Sequence, residues 1–169
     1  PQLSLEGHGF WLLGLSPATK ARILAAKFLL AIASMSTISI ALIWLSSSML
    51  ATSYAIRIAA VAIITCIALA VCGISTGLGA VFMDLRQRNP AAIVSGFGGT
   101  LNLVFCLSFM LLTIIPFGML FHFNSIAKIT PGQFATGLKL ASLWLVALTA
   151  ITTICPLWFG LRALENRDY

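Results

Sequence analysis

Residues 58–83 read IAAVAIITCIALAVCGISTGLGAVFM, a run with no Asp, Glu, Lys or Arg, bounded by Arg57 and Asp84. A bilayer core about 30 Å thick is crossed by roughly 20 apolar residues in helical form. This run is long enough. Working outward, residues 28–56 form a charge-free block before it, and residues 89–127 and 140–161 form two more after it. A soluble chain of 169 residues cannot hide so much apolar surface, because a small domain leaves much of its surface facing water. Charged residues make up 8% of the chain, against about 25% in an average soluble domain. The expected fold class is therefore all-α: a polytopic membrane protein with four transmembrane helices, preceded by an amphipathic interfacial helix.

The expected spans are about 28–50, 58–82, 100–121 and 140–161, which together make a transmembrane domain over 28–161. Residues 1–27 read as an amphipathic segment at the membrane surface. Phe10, Trp11, Leu12, Leu13 and Leu15 are its apolar patch, and Lys20, Arg22 and Lys27 follow. Ser16-Pro17 is a helix start, with Ser as N-cap and Pro in the first helical position. Residues 51–57 read as a short loop. Asn89-Pro90 starts a short helix, which Ser95-Gly96-Phe97-Gly98-Gly99 interrupts. Pro116 should kink the third span. Residues 122–139 read as a longer loop with a turn at Thr130-Pro131-Gly132, and residues 162–169 as a charged tail. Because the chain opens on Pro1, a longer protein with an N-terminal part before it is expected.

Basic residues orient the spans. With the N-terminus inside, the inner segments carry Lys20, Arg22, Lys27, Arg86, Arg88, Arg162 and Arg167, and the outer loops carry Arg57, Lys128 and Lys139. Lys and Arg concentrate on the cytoplasmic side of membrane proteins, so both termini are expected in the cytoplasm. The net charge of +6 is spread over the ends of apolar blocks and does not form one basic face, which argues against nucleic acid as a partner.

The spans offer little chemistry. They hold no acidic or basic side chain, whereas proton relays and ion-coupled carriers use intramembrane ionisable groups. Enzymes need a gathered set of titratable residues, so no catalytic, metal or cofactor-binding residue is assigned. His122 reads as an interfacial histidine. Cys66, Cys72, Cys106 and Cys155 lie inside apolar blocks and read as small packing residues. Gly77-Leu78-Gly79 and Gly96-Phe97-Gly98-Gly99 lack the Lys-Ser/Thr of a phosphate loop and the strand of a dinucleotide fingerprint. Gly73 and Gly77 instead make a G-x-x-x-G pair, which lets two membrane helices approach closely. The loop carrying Asp84, Arg86, Arg88, Asn89 and Pro90 has two readings: a topological anchor whose arginines meet lipid phosphates, or a contact surface for a cytoplasmic partner.

Two stretches resemble a known family. Ser4-Leu5-Glu6-Gly7, Phe10-Trp11-Leu12-Leu13, Ser16-Pro17 and Lys27-Phe28 are similar to a signature of type-two ATP-binding-cassette exporter permeases. Gly77-Leu78-Gly79-Ala80-Val81-Phe82, Arg88-Asn89-Pro90 and the run from Ser95 to Leu103 are the more specific match, to a bacterial subgroup of such exporters. The resemblance covers roughly residues 4–28 and 73–108. It implies the C-terminal portion of a permease in the bacterial cytoplasmic (inner) membrane. The implied partners, besides the lipid bilayer, are a cytoplasmic ATPase subunit and a second permease half or a second copy in a homodimer. It also implies that Glu6, Trp11, Ser16 and Pro17 belong to a coupling helix seated on the ATPase, with the Asp84–Pro90 loop as the other cytoplasmic surface. ATP would then be hydrolysed by the partner, and this chain would be no enzyme. The competing reading is a small four-helix membrane structural or assembly protein without transport activity.

Overall fold

A computed structural model describes residues 19–51, 54–82, 96–126, 128 and 130–165. They form four helices: α1 (Lys20–Met49), α2 (Tyr54–Val81), α3 (Phe97–Ser125) and α4 (Pro131–Glu165). There is no strand among the described residues, and all four helices are long and apolar enough to cross a membrane.

The helices outrun the charge-free blocks. α1 starts at Lys20, so Arg22 and Lys27 ride on its first turns and the chain enters the first span from an existing helix. α2 starts at Tyr54, which moves Arg57 out of the expected loop and into the helix. Arg57 tolerates this because its side chain reaches back along α1. Its guanidinium lies 4.9 Å from the Trp44 ring centroid, and Nη2 donates to the Ser47 carbonyl at 3.4 Å. A long cationic side chain can cover apolar surface with its stem while its head finds polar partners. Between the two helices Ala51 takes a left-handed conformation, φ 47°.

The expected loop over 122–139 is corrected more strongly. α3 continues to Ser125 and α4 begins at Pro131. Thr130-Pro131-Gly132 is a helix start, not a free turn. The Gln133 backbone N–H donates to Thr130 Oγ1 at 3.4 Å, and the Thr130 N–H donates to Gln133 Oε1 at 3.0 Å. That reciprocal pair is a capping box, with Pro in the first helical position where its missing N–H costs nothing. α3 likewise begins at Phe97, with Gly96 as its N-cap, so Phe97, Gly98 and Gly99, expected in the break before a span at about 100, belong to the helix.

Neighbours alternate up and down. The first turns of α1 meet the ends of α2 and α4 in a buried cluster of Leu24, Ala80 and Leu164. At the same end Phe82, just past α2, meets Phe97 at the start of α3 edge-on, with centroids 5.5 Å apart. At the opposite end Phe121 of α3 meets Phe134 of α4 at 5.6 Å. α2 is the central helix and makes its largest contact with α4. A second buried cluster joins Ala70 and Ile74 of α2 to Phe109 of α3, with Leu148 of α4 packed against it. Most other large apolar side chains of α1 and α3 face outward, as a lipid-solvated bundle requires.

Candidate functional site

Two features of the bundle are candidates: the end at which the expected coupling segments attach, and the close-packed seam between α2 and α4. Glu6, Trp11, Ser16, Pro17, Asp84, Arg86, Arg88, Asn89 and Pro90 lie outside the described residues, as does the tail from 166. The described residues that flank them are placed. Thr19, Phe82, Gly96 and the α4 terminus are all at the Leu24–Ala80–Leu164 end of the bundle. Segments 1–18 and 83–95 are therefore entered from the same end.

Charge follows the same division. Arg22, Lys27 and Arg162 belong to that end, with Arg162 stacked 4.1 Å from the Trp158 ring centroid one turn earlier in α4. Arg57, Lys128 and Lys139 belong to the other half. Trp–Arg pairs of this kind suit the membrane–water boundary, where an apolar ring and a charged head are both accommodated. Between the two ends no described side chain carries a charge.

The seam is the contact of α2 with α4. Gly73 and Gly77 both face α4. A Cβ built on Gly73 would come within 2.7 Å of Thr153 Cα. One built on Gly77 would overlap the carbonyl group of Pro156 and approach Pro156 Cβ to 2.6 Å. Gly160 answers from the other side, where a Cβ would stand 2.9 Å from the Gly77 carbonyl oxygen and 3.1 Å from Ala80 Cβ. The two backbones thus touch directly where side chains are missing. Without a hydrophobic drive between helices in lipid, such close approach supplies the van der Waals contact that holds them.

From the sequence Pro156 reads only as a proline inside the fourth span, and Gly160 is not marked. The signal was there: Thr149, Thr153, Pro156 and Gly160 are small residues spaced by four, three and four, on one helical face. The seam also carries unusual polar atoms. The Oγ1 atoms of Thr149 and Thr153 are buried without a hydrogen-bond partner, while Thr152 Oγ1 donates back to the Leu148 carbonyl at 2.7 Å. A buried hydroxyl without a partner weakens a contact, so the seam is held by shape and not by its hydroxyls.

Beside the seam a groove of about 310 Å³ runs between α1 and α2, lined by Ser34 and Met35 on one side and Cys72, Ser75 and Thr76 on the other. Ser34 Oγ donates to the carbonyls of Leu30 and Ala31 at 3.0 Å each, so its hydroxyl is taken up by its own helix. All four cysteines are free thiols, and no three His, Cys, Asp or Glu gather into a metal site among the described residues. His122 is exposed in the last turn of α3. What the described residues of these helices show is packing, with the closest approach at the glycines of the α2–α4 seam.

Neither a curated protein nor a solved structure matches this chain. One family model does, and it matches from residue 1 to residue 169. The chain, an all-helical bundle with four helices able to cross a membrane, belongs to the family described as "Putative ATP-binding cassette".

Proposed function

We propose that this chain is the membrane-spanning permease portion of an ATP-driven exporter and that it works with a separate ATPase subunit. The observation that carries the proposal is a whole-length match to an ATP-binding-cassette family by a chain built of four membrane-length helices. The family description names the cassette, yet this sequence contains no Gly-Lys-Ser/Thr run with which to cradle phosphates. The cassette is therefore assigned to a partner and the path through the bilayer to this chain, which is itself no enzyme. In this reading the bundle belongs to a bacterial inner membrane and pairs with a second permease half or a second copy.

The Leu24–Ala80–Leu164 end faces the cytoplasm in this reading, because the basic residues concentrate in the segments entered from it. Residues 4–17 and the Asp84–Pro90 loop then lie where an ATPase can reach them. Single cysteines at Ser53 and Ser125, in a background without native cysteines, are expected to react with a membrane-impermeant label added to intact cells. Labelling at Gln87 instead inverts the orientation. For the partnership, the tagged chain drawn from native membranes in mild detergent is expected to bring down a nucleotide-binding subunit together with ATP hydrolysis. Recovery of the chain without one favours the four-helix structural protein.

A further inference from the structure

α3 contains Pro116, and a proline inside a helix cannot donate to the carbonyl four residues earlier. That carbonyl belongs to Leu112. In this structure it accepts a hydrogen bond from the indole Nε1 of Trp144, 3.1 Å away on α4. The donor is 32 residues distant in the chain and sits on the neighbouring helix. Within the bilayer core there is no water to satisfy either group, so a freed carbonyl and an indole N–H each need a protein partner.

We infer that Pro116 and Trp144 form a latch: the proline frees the Leu112 carbonyl, and the indole holds it, so that this bond, together with the Phe121–Phe134 contact, positions α3 against α4. The rest of the α3 contact supports this. Phe109 and Thr113 are the buried residues of α3, and Thr113 Oγ1 spends its hydrogen bond on the Met110 carbonyl of its own helix. Leu107, Leu111, Ile114 and Ile115 are exposed. Phe109 is a pivot near the middle of the helix, and the latch lies one turn beyond it. Opening the latch breaks no intrahelical bond, since proline has already removed the one at stake, and leaves the segment of α3 after Pro116 held to α4 by side-chain packing such as Phe121 on Phe134. Interruptions of the helical hydrogen-bond ladder are the places where long helices bend sharply.

Two measurements test this on the whole chain in detergent or nanodiscs. The first is a double-mutant cycle in melting temperature. Trp144→Phe keeps a ring but loses the donor, and is expected to lower the midpoint by about 2 °C. In a Pro116→Ala background the helix supplies its own donor to Leu112, and the loss from Trp144→Phe is expected to fall to less than half. Equal losses in both backgrounds overturn the latch. The second measurement stands even where Pro116→Ala does not fold. Spin labels at the exposed Met119 and Leu143, with Cys66, Cys72, Cys106 and Cys155 replaced by Ala, report the spacing of α3 and α4. Trp144→Phe is expected to broaden that distance distribution, and an unchanged width overturns the proposal.

Discussion

α4 is held by two neighbours in opposite ways. Against α2 it is held by what is missing: Gly73, Gly77 and Gly160 remove side chains until backbone meets backbone. Against α3 it is held by what is added: Phe134 meets Phe121, and the Trp144 side chain reaches across to one freed carbonyl. Each contact includes a proline of one helix. Pro156 lies in the glycine seam as a packing surface, while Pro116 unmakes a hydrogen bond that Trp144 remakes from outside. A close-packed seam has one arrangement and loses contact steeply when it is spread. A single hydrogen bond in a membrane contributes little, about 0.6 kcal/mol on average, and can open and close. The bundle thus combines a close-packed pair, α2 with α4, and a helix, α3, that the proposed latch makes adjustable.

The harshest way to break this contrast is Gly77→Leu. Its Cβ would occupy the Pro156 carbonyl position, and no side-chain rotation relieves a clash with backbone. Overpacking typically costs about 1–3 kcal/mol, and here the clash should lie at or above the upper end. The expected outcome is a sharp fall in monodisperse yield by size-exclusion chromatography. Gly160→Ala is milder, with a methyl 2.9 Å from the Gly77 carbonyl oxygen. Its loss is expected to be about 1 kcal/mol, seen as a melting midpoint several degrees below the parent and above that of any folded Gly77→Leu.

The adjustable side sharpens the contrast from below. A Cβ on Gly118 of α3 meets nothing within 4 Å. Gly inside a helix is less favourable than Ala by about 0.5–1 kcal/mol, so Gly118→Ala is expected to leave the midpoint unchanged or raise it slightly. A drop as large as that of Gly160→Ala would mean that α3 packs as tightly as the seam. The smallest effect belongs to Ala51. Its left-handed φ of 47° suits glycine better, and Ala51→Gly is expected to shift the midpoint by no more than about 2 °C.

Much of this was readable in the residues. Charge-free length identified four membrane helices, and Gly73-x-x-x-Gly77 marked a face that lies on α4 in the structure. The helix ends are less legible because charge does not mark them. Arg57 and Lys139 both sit inside helices, and a long basic side chain can leave the bilayer while its backbone stays helical. Thr130-x-x-Gln133 was a legible capping box behind a turn-like Thr-Pro-Gly string. The latch was half legible. Pro116 announces an unpaired Leu112 carbonyl from local geometry alone, but its donor depends on how α3 and α4 stack. The attachments of segments 1–18 and 83–95 to one end also needed the helix pairing, which apolar periodicity does not specify when nearly every face is apolar.

The proposed partnership rests most heavily on residues 4–17, which in that reading couple the bundle to a separate ATPase. The direct test is ATP hydrolysis by the reconstituted complex, measured with the melting temperature on the same preparation, for Glu6→Ala and Trp11→Ala. Normal membrane insertion, a midpoint within about 2 °C of the parent, and a several-fold loss of transport-linked ATP hydrolysis are expected. Undiminished hydrolysis in both variants would contradict that coupling.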